Sequence, residues 1–242
     1  MANLLVEMGN TALKAAWSEG NILGKTFRYQ GEKMVEFLLS IMKKEVPEVL
    51  TVSSVSVISQ EDADALSMRC GELIILDAAH PEFLSESGLP EYLSYDRAAS
   101  LIAARYLFPG KECTVFDFGT TINIDFIDAE GKYLGGNISP GVRTRFKSLN
   151  RYSRSLPLVN SPEEAPEVGL GLVSSIEAGV LSGIKFEVEG YFASRPGNVV
   201  LFTGGDANYL AKMTKNSIFV VCNLVLMGLL QLTNSYVRKK IS

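Results

Sequence analysis

The chain contains two copies of a motif in which an acid is followed, after one residue, by glycine, a polar residue and threonine. The first copy is Glu7-Met8-Gly9-Asn10-Thr11 and the second is Asp117-Phe118-Gly119-Thr120-Thr121. Each copy lies between two apolar stretches, a pattern that predicts two strands joined by a tight turn. The glycine lets backbone N–H groups approach a phosphate, the Asn and Thr side chains add donors, and the acid can reach a cation.

Either copy alone is also typical of an ordinary β-turn. The duplication favours the phosphate interpretation. Asp117 follows Glu7 by 110 positions in a chain of 242 residues, so the sequence predicts two similar halves with one acid-tipped hairpin each. The Pro and Gly in 108–111 are typical of a boundary, and the predicted halves are 1–108 and 109–242.

Composition indicates a globular protein, with 47% hydrophobic and 21% charged residues. The net charge of −4 argues against nucleic-acid binding. The basic residues of 143–154 are interpreted as a solvated face or an anion contact: Arg143, Arg145, Lys147, Arg151 and Arg154. The sequence has no secretory pattern and no apolar span of about 18 residues, so we expect a cytoplasmic protein without a membrane partner.

The numbers and spacing of the histidine and cysteine residues exclude some kinds of site. His80 is the single histidine, which excludes a multi-histidine metal centre, and its loop-like position before Pro81 favours a surface role. Cys70, Cys113 and Cys222 are far apart and lack CxxC spacing. Each lies in or beside an apolar stretch, so three buried, reduced thiols are predicted.

Periodicity predicts the order β-β-β-α-β-α-β-α in the first half and the same plan with insertions in the second. This order is typical of mixed sheets with helices packed on them. In the first half we predict a hairpin at 4–17, strands at 24–29, 50–55 and 73–76, and helices at 32–44, 60–70 and 96–107. In the second half we predict a strand at 132–141, helices at 142–150, 171–190, 207–213 and 222–235, and a strand at 198–202.

Six sequence elements together resemble the type III pantothenate kinase family of the actin-like ATPase superfamily. Glu7–Lys14 is similar to its first phosphate motif, D-x-G-N-T-x-x-K. Ser94–Arg97 resembles its substrate motif G-x-D-R, and Asp117–Thr121 resembles its second phosphate motif. The remaining elements are Gly135–Gly141 (G-G-x-I-x-P-G), Thr203–Ala207 (T-G-G-x-A) and Asn223–Leu229 (D-x-x-L-x-x-x-G-L).

The resemblance implies two RNase H-like α/β halves with a nucleotide cleft between them. It implies a homodimeric kinase that uses ATP with Mg²⁺ to phosphorylate pantothenate, the first step of coenzyme A synthesis. It assigns the role of general base to Asp96. The structural alternative is that Asp96 only caps the helix that follows. It assigns ATP binding to Glu7, Gly9, Asn10, Thr11, Lys14, Gly119, Thr120 and Thr121, and substrate binding to Ser94, Tyr95, Asp96, Arg97 and Leu172.

The resemblance further implies a monovalent cation, K⁺ or NH₄⁺, at Asp117. Glu7 and Asp125 are candidates to hold water around Mg²⁺, and the Arg97 guanidinium suits the pantothenate carboxylate.

The chain departs from the family pattern at Glu7 (aspartate in the family), Ser94 (glycine) and Leu172 (threonine, for which Ser174 or Ser175 is a candidate replacement). Two alternatives therefore stay open: a non-catalytic regulator that binds a nucleotide or metabolite, and a kinase for another small hydroxy acid or sugar.

Overall fold

The computed structural model describes residues 2–164 and 166–241. The strands are β1 (Ala2–Met8), β2 (Leu13–Glu19), β3 (Ile22–Tyr29), β4 (Val49–Ser54), β5 (Glu72–Leu76), β6 (Cys113–Phe118), β7 (Thr121–Ile127), β8 (Tyr133–Pro140), β9 (Val199–Thr203) and β10 (Phe219–Val220). The helices are α1 (Met34–Ile41), α2 (Gln60–Ser67), α3 (Glu82–Glu86), α4 (Tyr95–Leu107), α5 (Val142–Tyr152), α6 (Leu172–Ser194), α7 (Ala207–Ala211) and α8 (Leu224–Ile241).

The chain divides into two compact units. One contains residues 1–107 and 223–242, and the other contains residues 108–222. Residues 223–242 were predicted to belong to the second half, but the structure places this segment in the first unit. There α8 packs against α4 and β1, because both helices offer the apolar surface that must be buried.

Each unit is built on one five-stranded mixed sheet. The strand order is β3-β2-β1-β4-β5 in the first unit and β8-β7-β6-β9-β10 in the second. In each sheet the first three strands are antiparallel, and the last two run parallel to the central strand, β1 or β6. The predicted pair of α/β halves with mixed sheets and flanking helices is thus confirmed.

Burial follows this topology. β4 lies between β1 and β5, and all six of its residues are buried, as expected for a parallel strand covered on both faces. β3 is an edge strand and has no buried residue. In the second unit, β6, β7 and β9 place aromatic and branched side chains against α5 and α6, with Phe116, Phe118 and Phe202 at the centre of the core.

Helix α4 is enclosed tightly. It has eight buried residues, including the run from Arg97 to Leu101. Gly228 of α8 lies against its backbone, so that a Cβ atom added at Gly228 would be only 1.8 Å from the Ala99 carbonyl oxygen. The Thr51 and Thr233 hydroxyls are 2.7 Å apart and link α8 to β4.

The cysteine prediction is partly wrong. Cys113 is buried, and burial raises the pKa of its thiol to about 11. Cys70 is half-buried, whereas Cys222 is exposed because it follows the short strand β10 at the surface. Within the described residues, no helix is long and apolar enough to cross a membrane.

The close approach of α4 and α8 predicts a strong effect of a single methyl group. Gly228→Ala should lower the free energy of unfolding by about 3 kcal/mol, because backbone atoms of α4 must move to admit the Cβ. Denaturant unfolding monitored by circular dichroism measures this change.

The matched control is Gly190→Ala, a helical glycine of α6 at which the added Cβ would have no described atom within 4 Å apart from the adjoining residues and backbone of its own helix. Since alanine favours the helix over glycine by about 1 kcal/mol, this variant should be as stable as the parent or more stable. Equal stability of Gly228→Ala and the parent would contradict the close packing.

Candidate functional site

The first hairpin places two opposite charges side by side. Glu7, near the end of β1, is the direct cross-strand partner of Lys14 on β2. Its Oε2 lies 3.4 Å from Lys14 Nζ. The turn is closed by the Gly9 N–H, which donates to the Ala12 carbonyl at 3.0 Å, and it leaves Asn10 and Thr11 exposed.

Glu7 is the most perturbed acid of this hairpin. Burial raises the pKa of its carboxyl, Lys14 opposes that shift, and the negative charge of Asp96 raises the pKa further. The buried Oε2 lies at ion-pair distance from the Lys14 ammonium but accepts no well-aligned hydrogen bond within the part of the chain that the structure describes. Such an oxygen can still accept a donor or a cation from a ligand.

Asp96 lies in the first turn of α4. The Ser94 carbonyl accepts the Ala98 N–H at 3.0 Å, so Ser94 holds the N-cap position that was the structural alternative for Asp96. Asp96 is half-buried, and its Oδ1 accepts the Arg97 N–H at 2.9 Å. Helix α4 packs against β4, the strand that pairs with β1 beside Glu7, and the negative charge of Asp96 contributes to the raised pKa of Glu7.

The other residues of the substrate motif differ in exposure. Ser94 is exposed, whereas Arg97 is only 8% exposed. Tyr95 is buried and donates its hydroxyl hydrogen to the His80 carbonyl oxygen. The predicted surface role of His80 is only partly met, because its ring is 43% exposed but its Nδ1 lies 2.8 Å from Asp77 Oδ1.

The second hairpin repeats the first with different side chains. The Gly119 N–H donates to the Thr121 carbonyl at 2.9 Å, and Gly119, Thr120 and Thr121 are exposed. The Thr120 carbonyl accepts the Gly141 N–H at 3.0 Å and the Thr144 hydroxyl at 2.6 Å. The start of α5 is therefore fastened to this turn.

A glycine turn after β9 lies directly on the half-buried Asp117. Gly204 has φ +93°, and an added Cβ would be 2.4 Å from Asp117 Oδ1. The Asp206 N–H donates to the Phe118 carbonyl at 3.1 Å. Burial raises the pKa of Asp206. This acid was not predicted as a site residue, although its position after a double glycine at a strand end is a signal that could have identified it.

Asp125 does not belong to the hairpin tip. It pairs across the sheet with Val115, two residues before Asp117, and is 3% exposed. The Tyr133 hydroxyl donates to its Oδ1 at 3.0 Å. This position does not favour the predicted role in holding water around Mg²⁺.

Leu172 starts α6 and is 57% exposed. It lines a groove between α5 and α6 together with Arg145, Leu149, Leu156, Ser175 and Ile176. The Ser174 hydroxyl accepts the N–H groups of Leu170 and Gly171 and so caps the helix. Ser175 also lines this groove and is exposed.

The acids described above are spread over separate elements. Within residues 2–164 and 166–241 no group of three or more His, Cys, Asp or Glu side chains could hold a metal ion. The Glu7 carboxylate nevertheless suits a hydrated Mg²⁺ that arrives with phosphates, because its Oε2 accepts no well-aligned hydrogen bond within the described residues and Mg²⁺ usually keeps several waters and needs few protein ligands.

The raised pKa of Glu7 predicts a pH-dependent effect on stability. Between the ordinary carboxyl pKa and the raised value, the folded chain binds a proton that the unfolded chain has lost, so stability falls as pH rises. Glu7→Gln removes this cost. The variant should be more stable than the parent at about pH 8, and the advantage should disappear by about pH 4.

Denaturant unfolding of both proteins across this pH range measures the difference. Glu163→Gln, at an exposed loop position, is the control and should show a smaller pH-dependent difference. A Glu7→Gln variant that is less stable than the parent at about pH 8 would contradict the burial argument.

Comparison with known proteins identifies the family. Residues 3–194 match the family model of type III pantothenate kinase. A type III pantothenate kinase of Bacteroides fragilis is 33% identical over 237 residues, covering 96% of this chain and 97% of its own.

Two solved structures share the fold. One is a conserved Campylobacter jejuni protein assigned to the Baf family of transcriptional activators, with a TM-score of 0.65, 20% identity and coverage of 97% and 99%. The other is the activator of 2-hydroxyisocaproyl-CoA dehydratase from Clostridium difficile, with a TM-score of 0.58, 13% identity and coverage of 100% and 98%. Because the family model covers most of the sequence and the curated relative matches nearly all of it, this chain belongs to the type III pantothenate kinase family.

Proposed function

We propose that this protein transfers the γ-phosphoryl group of ATP to the primary hydroxyl of pantothenate, producing 4′-phosphopantothenate for coenzyme A synthesis. The observation that carries the proposal is the position of Asp96. This acid lies at the start of α4, which packs against β4, and β4 pairs with β1 beside Glu7 of the first hairpin, where the negative charge of Asp96 helps to raise the pKa of Glu7. A base and a phosphate-binding turn must be neighbours in a kinase.

Asp96 is the proposed general base. Phosphoryl transfer depends mainly on positioning and charge stabilisation, so the carboxylate orients the hydroxyl and accepts its proton as the bond to phosphorus forms. Arg97 follows it on the same helix and is the proposed anchor for the pantothenate carboxylate, which a planar guanidinium can bind through two hydrogen bonds.

The two hairpins are the proposed phosphate contacts. Asn10, Thr11, Thr120 and Thr121 are exposed and offer side-chain donors. Lys14 is paired with Glu7 in this structure, and its side chain is 25% exposed, so its ammonium group can also attract phosphate oxygens. The glycine turns leave backbone N–H groups accessible to a polyphosphate.

Two cations accompany this proposal. Glu7 would hold the water shell of Mg²⁺, which neutralises charge on the phosphates. Asp117 would hold K⁺ or NH₄⁺, because it is a half-buried carboxylate at a strand end beside the Gly204 turn. Oxygen ligands of this kind suit hard cations.

We also propose a homodimer, and an apolar surface at the start of α6 supports it. Leu170 is 98% exposed and Val168 is 72% exposed, and both shortly precede Leu172, which is 57% exposed and lines the groove between α5 and α6. Exposed apolar patches of this kind mark association surfaces. A cytoplasmic location is consistent with a substrate and product of central metabolism.

Replacing the base tests the function directly. Asp96→Asn should lower kcat by about 10²–10⁴-fold, because the amide cannot accept the hydroxyl proton. The amide keeps the carbonyl oxygen that accepts the Arg97 N–H, so the unfolding midpoint should stay close to that of the parent. Pantothenate-dependent release of ADP measures turnover.

The parent protein without pantothenate provides the background rate. Binding of ATP by the parent without pantothenate-dependent turnover would overturn the proposal and favour a non-catalytic regulator. Equal turnover of Asp96→Asn and the parent would remove Asp96 from the role of base.

The monovalent cation at Asp117 is tested by ion replacement. Exchange of K⁺ for Na⁺ at constant ionic strength, with Mg²⁺ and ATP saturating, should depress turnover sharply in the parent. In Asp117→Asn the rate should already be low and should change little. A parent rate that is the same in both ions would exclude this cation site.

A further inference from the structure

Asp77 is a buried acid at the carboxyl end of β5, and its side chain is involved in three interactions. It is 1% exposed. Its Oδ2 accepts the Ile58 N–H at 3.1 Å, and its Oδ1 accepts the Ala79 N–H at 2.9 Å and lies 2.8 Å from His80 Nδ1. Asp77 therefore joins the loop after β4 to the loop after β5.

These contacts keep Asp77 ionised despite its burial. Burial alone would raise the pKa of this carboxyl, but the hydrogen bonds from His80 and from the Ile58 and Ala79 N–H groups bring the pKa below its ordinary value. A buried carboxylate with this many donors is fixed in one orientation, because each rotation would leave donors unpaired.

The loop fixed by Asp77 also contacts the start of α4. The His80 N–H donates to the Asp77 carbonyl at 3.0 Å, which sets the direction of the His80 peptide. The His80 carbonyl oxygen then accepts the Tyr95 hydroxyl. Tyr95 is the first residue of α4 and is 3% exposed, and Asp96 comes directly after it.

We infer that Asp77, His80 and Tyr95 form a positioning relay, which sets the location of the Asp96 carboxylate at the first hairpin. The inference rests on the proposed role of Asp96 as the base. The helix start needs such support because Ser94 is exposed and, among the described residues, contributes only the carbonyl that accepts the Ala98 N–H, with no side-chain cap. None of the three relay residues needs to touch the substrate for this role.

The relay differs from general packing in a testable way. Tyr95→Phe keeps the buried ring and removes only the hydroxyl that contacts His80. Asp77→Asn keeps the shape but replaces one acceptor oxygen by a donor, so the donors around it cannot all be satisfied. Both variants should loosen the first turn of α4 while leaving the residues of the two phosphate hairpins in place.

Steady-state kinetics of the full chain tests the relay. We expect Tyr95→Phe and Asp77→Asn to lower kcat by about 10-fold or more, since a small misplacement of a catalytic group is costly. The KM for ATP should remain unchanged. Tyr106→Phe is the matched control, because Tyr106 is an exposed tyrosine at the other end of α4, and its kcat should equal that of the parent.

A double variant separates positioning from a general structural defect. If the relay acts through Asp96, Tyr95→Phe combined with Asp96→Asn should be no slower than Asp96→Asn alone, because the base that was being positioned has already been lost. Independent effects would multiply, making the double variant slower by the full factor of Tyr95→Phe, and that result would overturn the relay.

Failure of the relay and failure of the proposed function give different results. A parent without pantothenate-dependent turnover contradicts the function itself. A parent that is active, with Asp96→Asn slow but Tyr95→Phe and Asp77→Asn both as fast as the parent, contradicts the relay alone. Tyr95→Phe keeps the test decisive if Asp77→Asn fails to fold. It removes a single hydroxyl, keeps the buried ring and is expected to fold.

Discussion

Parallel pairing of the central strands determines where the candidate residues lie in each unit. β1 pairs with β4, and β6 pairs with β9, so the strand that carries each acid ends beside the carboxyl end of its neighbour. Loops that follow parallel strands meet at one edge of a sheet. Glu7 and Asp117 therefore lie beside loops that can enclose a ligand. On the other side of each acid lies the second strand of its antiparallel hairpin.

The first hairpin shows how function and stability oppose each other. The backbone of β1 is hydrogen-bonded to a strand on each side. The Glu7 carboxylate, however, is buried beside Lys14, its Oε2 accepts no well-aligned hydrogen bond within the described residues, and the negative charge of Asp96 disfavours its ionised form. Natural proteins retain such unfavourable groups where a ligand needs them. Cations or donors that arrive with a nucleotide would satisfy the same oxygen.

Much of this arrangement could be predicted from the sequence because it depends on local patterns. The two hairpins follow from apolar runs interrupted by glycine turns, and the helix at Tyr95–Leu107 follows from an alanine-rich segment that is opened by an acid. The five-residue α3 and the two-residue β10 were not predicted, because elements this short display no periodicity. The link from Asp77 to Tyr95 was not predictable either, because it joins a single acid to a distant tyrosine through a backbone carbonyl.

The placement of α8 has a consequence for how the chain acquires its structure during synthesis. Residues 108–222 form one uninterrupted unit and can fold while the ribosome is still at work. The unit that contains Asp96 is assembled from segments that precede and follow residues 108–222, and α4 lacks its contacts with α8 until α8 has left the ribosome. The unit that begins first along the chain is therefore the one that can be completed last, and the face of α4 that packs on α8 is the surface that chaperones would need to shield in the interval.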